Sequence, residues 1–222
     1  SGLNQWYDAS DASTLTTASI VVGTTSSILS SPLDIPSCSL WLDADDASTI
    51  TREPIWINWA LASNGASASQ IDTGWGGVPE RAIDGNTDGN YSNNSVTHTN
   101  TKDPAWWQVD FGQSRTIDKI VVYGRTDAGT NGTQQYRLDF YSGSYVSGSE
   151  VHSLTSSYAG SGILPDTQIL TSSVVCKTIR LTKIENTNAY LSIAEFQAFE
   201  NTGEYSTRVS QWDDKSGNGN HY

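Results

Sequence analysis

His98 is one of three histidines in a 222-residue chain that carries only 12 lysines and arginines. It stands in the run Val96-Thr97-His98-Thr99-Asn100, and Arg125 follows in the triplet Arg125-Thr126-Asp127, on the far side of the pair Trp106-Trp107. A guanidinium offers several N–H donors in a rigid fork, and an imidazole adds one more polar contact. Such a pair suits three chemistries: gripping the fixed hydroxyls of a neutral sugar, acid–base catalysis, or ordinary surface polarity. Glycoside hydrolysis needs two carboxylates flanking the scissile bond. The chain has 24 acidic residues, yet no recognisable pair accompanies His98 and Arg125, and Asp110 belongs to a strand. No Ser-His-Asp order, zinc signature or phosphate loop stands out. The sequence is read as non-enzymatic, and the sugar site and the polar surface pair stay open at this point.

The elements that must position these residues are strands. Hydrophobic residues make up 36% of the chain, with 8 Trp and 10 Tyr, enough for a packed core. Short apolar runs alternate with Gly, Ser, Thr, Asn and Asp, and long helix-period stretches are absent, the composition of an all-β protein. Strands are expected over Trp106–Phe111, Thr116–Tyr123, Tyr136–Tyr141, Thr178–Ile184 and Ile193–Phe199, arranged as a β-sandwich. The formal net charge is −12. A nucleic-acid binder needs a basic stripe that releases phosphate counterions, and none is visible, so nucleic acids and anionic membranes are excluded as expected partners. No apolar run approaches the roughly 20 residues that span a bilayer. No signal peptide is visible.

The N-terminal part holds a repeat: WYDASDASTLT, Trp6 to Thr16, recurs as WLDADDASTIT, Trp41 to Thr51. Ser19 to Val22 is an expected strand between the copies. The C-terminal tail reads VSQWDDKSGNGNHY. Together with the WLDA strand it resembles concanavalin-like jelly-roll domains of the laminin-G type. The resemblance implies that residues 55–200 form a complete domain inserted into a loop of a jelly roll, whose flanking pieces are residues 1–54 and 201–222 and which is cut short at Tyr222. Asp213, Asp214, Asn218 and Asn220 in that tail are read as turn formers. Cys38 and Cys176, the only cysteines, fit no metal or redox spacing; they are read as unpaired thiols, with a disulfide between them as the alternative. Asn93-Asn94-Ser95 and Asn131-Gly132-Thr133 match the N-glycosylation pattern.

The ordered motifs ERAIDGNTDGNYSNNSVTH, PAWWQVDFG, IDKIVVYGRTD and LSIAEFQAF resemble the F-type lectins, or fucolectins, of the discoidin-like β-sandwich (jelly-roll) group. The resemblance covers roughly residues 56–200. The AIDG and WWxVDFG frame marks a discoidin-like domain, and His98 followed by Arg-Thr-Asp narrows it to the lectins. It implies that His98 and Arg125 grip a terminal L-fucose or a closely related sugar, that Asp127 completes the triplet, and that Tyr91 lies near the fucose methyl. Trp75, in DTGWGGVP, is a second candidate for an aromatic wall or else a loop anchor. The chain departs from the family where a third basic residue is expected, at Gly132, and where a Cys-Cys pair is common, at Ala128-Gly129. Asn131, Lys102 and Arg137 are the candidates to replace the missing donor.

The same resemblance implies one structural Ca²⁺ beneath the sugar-binding loops. Its ligands would be the Asp84 and Glu195 carboxylates, Ser95 through its oxygens, and the backbone carbonyls of Arg81, Asn86 and Ala194, a hard oxygen set suited to that ion. Asp88 is read as a turn residue. The Ser/Thr-rich repeats and jelly-roll fragments point to a surface or phage adhesin outside the cell, on a cell or virion surface; the lectin resemblance implies fucosylated glycans as its partners, and weak monovalent binding would favour oligomers. The alternatives are a structural spacer with a decayed site and the binding module of a glycoside hydrolase.

Overall fold

Trp107, Val109 and Phe111 occupy alternate positions and are at most 2% exposed, while Trp106, Gln108 and Asp110 between them stay partly exposed. Successive strand side chains point to opposite faces, so this period of two fixes which face meets the core. The computed structural model describes residues 6–8, 21–22, 25–26, 41–43, 50–101, 103–127, 135–145, 147–156, 165–184 and 190–213. The chain divides into two units, one comprising Trp56–Thr202 and the other Ser1–Ile55 with Gly203–Tyr222.

In the terminal unit, β1 (Trp6–Asp8), β2 (Val21–Val22), β3 (Thr25–Ser26) and β4 (Trp41–Asp43) are short. β1 and β4 pair in parallel with Trp6 opposite Trp41, Tyr7 opposite Leu42 and Asp8 opposite Asp43. The opening three residues of the two copies therefore lie side by side, equivalent residue to equivalent residue. β2 and β3 pair antiparallel. Of the strand expected from Ser19, residues 19 and 20 lie outside the described residues, as do Cys38, Asp214, Asn218 and Asn220.

The larger unit is built on the end of β5 (Ile50–Asn58) from Trp56 on, on β6 (Ser67–Gln70), β7 (Trp106–Gly124), β8 (Tyr136–Tyr141), β9 (Glu150–Thr155) and β10 (Asp166–Lys183), and on β11 (Ile193–Trp212) as far as Thr202. The strand order is β5-β11-β7-β10-β8-β9, with β6 also against β7. Trp106–Asp110 of β7 pairs with Thr178–Thr182 of β10, and Thr116–Val122 pairs with the Asp166–Val175 stretch. Register shifts between Ile169 and Val174 and between Cys176 and Thr178 bend the ladder. Such bulges let long strands pass from one layer to the next, so a continuous hydrogen-bonded path folds into a β-sandwich.

Two separately expected strands, Trp106–Phe111 and Thr116–Tyr123, are thus one bent strand, and the strand expected from Thr178 begins at Asp166. The polar turn residues between them mark bends rather than chain reversals. β6, with the sequence SASQ, carries almost no apolar signal; its backbone pairs with β7 (Ser67 opposite Asp110) instead.

Trp107, Tyr136, Phe140, Phe196, Ile179 and Leu181 are among the largest fully buried side chains. The Trp107 ring packs 5.1 Å from Phe196, and its Nε1–H donates to the Pro79 carbonyl at 3.0 Å. Truncating a buried aromatic leaves a cavity and, here, an unpaired carbonyl; Trp107→Ala is expected to cost about 3–5 kcal/mol, read as a lower midpoint in chemical denaturation. Trp106 faces outward, where the Arg180 guanidinium is stacked 3.9 Å from its ring and 3.1 Å from that of Tyr145. Cys176 is buried and unpaired, and burial pushes its thiol up to about 12, leaving it inert at neutral pH.

Candidate functional site

The segment around His98 is fixed by its threonine neighbours. Thr97 N–H donates to the Ile193 carbonyl at 2.9 Å and Thr99 N–H to the Leu191 carbonyl at 3.0 Å. In return the Ile193 and Leu191 amides donate to the Thr97 and Thr99 hydroxyls, each at 3.0 Å. With both threonines turned toward this partner segment, the alternate position, His98, faces the other way. Its backbone is clasped on that side by the Gly74–Gly77 loop: Gly74 N–H donates to the His98 carbonyl at 2.8 Å and His98 N–H to the Gly77 carbonyl at 2.9 Å. A Cβ on Gly77 would sit 2.5 Å from the His98 nitrogen, so only glycine permits this approach.

His98 is 4% exposed, far deeper than a surface polar residue. Its Nδ1 lies 2.6 Å from the Thr99 carbonyl oxygen. A carbonyl only accepts, so Nδ1 carries the proton, and in the neutral ring Nε2 is left as an acceptor. Burial, with help from the Arg125 charge, holds the imidazole below its ordinary 6.5, so it is neutral at pH 7. An Nε2 acceptor is matched to a donated hydroxyl proton. Affinity for such a ligand is therefore expected to be flat above pH 6.5 and to fall as His98 protonates at lower pH, since the imidazolium loses the acceptor; calorimetric titration across pH 5 to 8 checks the profile.

Arg125 leaves the end of β7, and the next residue is anchored by Thr126 N–H donating to the Gly89 carbonyl at 2.8 Å. The Arg125 Nε donates to Asp127 Oδ1 at 2.6 Å, and this pairing holds the Asp127 carboxyl below its usual range. The guanidinium carbon lies 4.6 Å from the centroid of the Tyr91 ring. Tyr91 in turn meets the His98 ring edge-on at 5.7 Å. Tyr91 thus links the two basic residues, which come from segments the sequence separates by the whole of β7. Its hydroxyl donates to the Trp75 carbonyl, so Tyr91 braces both the guanidinium and the loop of Trp75.

His98, Arg125, Asp127, Tyr91 and Trp75 are therefore brought together. Asn131, Lys102, Gly132, Ala128 and Gly129 lie outside the described residues. Arg137 does not supply the third donor: its guanidinium is paired with Asp139 on β8, at 2.8 Å. Trp75 is not a packed loop anchor either, since it is 67% exposed. The sequence reading missed Tyr190, whose ring lies 4.8 Å from that of His98. The signal that could have found it is its place directly before Leu191, the hydrogen-bond partner of Thr99.

Beneath these loops, the alternation Asp84, Asn86, Asp88, Asn90 forms a ladder of side-chain-to-backbone turns. Each side-chain oxygen accepts the amide two residues on, from Asn86, Asp88, Asn90 and Ser92 in turn, at 2.8–3.0 Å. This is the Asx chemistry that such residues favour, and it places Asp88 as a turn residue. Arg81 ties the following stretch, donating to Val96 O and Asn94 Oδ1, both at 3.0 Å. Ser95 is fully buried and donates to the Asn90 carbonyl at 2.9 Å.

Across from the ladder, the register of β11 against β7 slips between Ile193 and Glu195, which takes Ala194 out of the regular pairing. Glu195 is fully buried, its Oε1 accepts from Gly85 N–H at 3.2 Å, and its Oε2 has no hydrogen-bond partner. Burial and the neighbouring Asp84 charge push its carboxyl up to about 8. A buried carboxylate with an orphan oxygen beside a second carboxylate is costly unless a cation joins them. The residues present thus fit a hard divalent ion held by oxygen atoms.

A family model described as a NedA-like, galactose-binding domain of the F5/F8 type C group matches residues 81–181. Fucolectin-1 of Anguilla japonica is 38% identical over 65 residues, which cover 28% of this chain and 36% of that protein. The chain thus spans about a third of the length of that curated relative. Among solved structures, the lectin domain of lectinolysin complexed with Lewis B antigen is 31% identical, with a TM-score of 0.56 over 65% of this chain and 96% of that one. A Streptococcus pneumoniae fucose binding module is 28% identical, with a TM-score of 0.55 over 64% of this chain and 94% of that one.

Proposed function

The chain belongs to the F-type lectin (fucolectin) family of discoidin-like domains, and on that premise we propose that its carbohydrate site is the one around His98 and Arg125, and that it takes a terminal L-fucose or a sugar with the same axial arrangement. The domain is a carbohydrate-binding module. The observation that carries the reading is the state of His98: Nδ1 is committed to the Thr99 carbonyl, which leaves Nε2 as an acceptor in a neutral ring, with the Arg125 fork held nearby over Tyr91. One acceptor and one set of donors suit hydroxyls that both give and receive. Asp127 aims the guanidinium rather than meeting the sugar.

Ca²⁺ held by Asp84, Glu195, Ser95 and the carbonyls of Arg81, Asn86 and Ala194 would brace the Asp84–Ser95 loop, and so the position of His98 three residues on. The buried, under-partnered Glu195 carboxyl supports this. Binding without catalysis fits a site in which the Asp127 carboxylate is committed to Arg125. The setting we propose is extracellular, within a larger surface protein into whose jelly-roll domain residues 55–200 are inserted; among the described residues no helix is long and apolar enough to cross a membrane.

A glycan array tests the function. The wild type is expected to retain fucosylated glycans and His98→Ala to lose them. Equal binding by both proteins, or capture of no glycan by the wild type, would show that this is not the site and leave the domain as a spacer.

A further inference from the structure

Two ring systems meet His98, and they are separate. Tyr91 carries the Arg125 guanidinium and touches the His98 ring. Trp75 and Tyr190 meet His98 at 4.8 Å each, and each other at 5.1 Å with an interplanar angle of 81°. We propose that Trp75 and Tyr190 form a second subsite, an aromatic corner that takes the apolar C–H face of the pyranose next to the terminal sugar. The inference rests on the reading of His98 and Arg125 as the terminal-sugar site.

The corner is held open by a strained backbone. Trp75 has φ of 45°, the left-handed region that a bulky residue rarely enters. Gly74 and Gly77 on either side are bonded to the His98 backbone, and the Tyr91 hydroxyl holds the Trp75 carbonyl. Strain of this kind persists only where the surroundings over-determine it, and it gathers at ligand sites. What it maintains here is an indole 67% exposed to solvent, directly beside a histidine that is 4% exposed. A packing role would bury that indole. An aromatic face offered to water beside a sugar site is suited to the C–H face of a hexose, which it can cover without needing a hydrogen bond. Tyr190 sets the second wall from another segment, fixed by Leu191, whose amide donates to Thr99 Oγ1. The chemical class of ligand is accordingly a fucosylated oligosaccharide with a pyranose as its second residue, not a free monosaccharide.

The test compares two ligands by calorimetry, free L-fucose and fucose α-linked to galactose, on wild type, Trp75→Ala, Tyr190→Ala and Trp75→Phe. The wild type is expected to bind the disaccharide about tenfold more tightly than the monosaccharide, one buried aromatic face being worth about that factor. In Trp75→Ala and Tyr190→Ala that ratio falls toward one, and Trp75→Phe keeps part of it. Fucose binding with no disaccharide advantage in the wild type overturns the subsite alone, as does an equal loss of both ligands in Trp75→Ala, which would make Trp75 a wall of the terminal site. Binding of neither ligand by the wild type overturns the terminal site as well.

Discussion

Removing calcium at pH 8 is expected to lower the melting temperature by roughly 10 °C, and the loss should shrink as the pH falls toward 4.5. The sign follows from Glu195. Its folded carboxyl is raised from 4.5 to about 8 by burial and by Asp84. Between those values the metal-free folded state binds more protons than the unfolded chain, so its stability is full below pH 4.5 and is lost as the pH rises through about 8. At about 1.4 kcal/mol per pH unit the ceiling on that loss is roughly 5 kcal/mol. The proposed Ca²⁺ would compete with the proton for the same oxygens, so its stabilising effect would grow over the same interval. Glu195→Gln removes the charge while keeping an oxygen. It should make the metal-free protein indifferent to pH here and abolish the response to calcium. Melts with and without chelator at pH 5 and pH 8 read both effects; a midpoint that ignores chelator at pH 8 removes the calcium proposal.

Arg125→Ala is expected to weaken sugar binding on the order of 100-fold, the loss of charge-assisted hydrogen bonds worth about 1.5–3 kcal/mol each. It also uncovers the Tyr91 face and leaves Asp127 without its partner. Because Arg125 and Asp127 lie at the loop after β7 and outside the core, the melting temperature should move little. Arg125→Lys restores a charge without the fork and should recover only part of the affinity. Isothermal titration with L-fucose measures each. An Arg125→Ala variant that binds like wild type would remove the guanidinium from the site.

The alternation of Trp107, Val109 and Phe111 made β7 legible, and Asp88 was legible as a turn residue because an Asx side chain needs only the amide two residues on. Local chemistry of that kind is written in local sequence. β6 was not legible, because SASQ owes its strand geometry to the edge of β7. The depth of His98 and the presence of Tyr190 were hidden for a related reason: the Leu191 amide reaches Thr99 across 92 positions. Only that long-range pairing brings Tyr190 to His98. The doubled WxDAxDAST sequence was visible as a repeat, but parallel pairing of Trp6 with Trp41 is a tertiary choice between equal partners. His98, Arg125, Asp127 and Tyr91 were found through the motif frame; residue type and spacing alone had left a polar surface pair open.

The most direct test is the His98 imidazole itself, followed by nitrogen–proton NMR while L-fucose is added at pH 7.5. The free protein should show the proton on Nδ1, and the sugar should shift the Nε2 resonance saturably, with a midpoint equal to the calorimetric Kd. Sugar binding that leaves the Nε2 signal unmoved, or a ring whose proton sits on Nε2 before the sugar arrives, would contradict it.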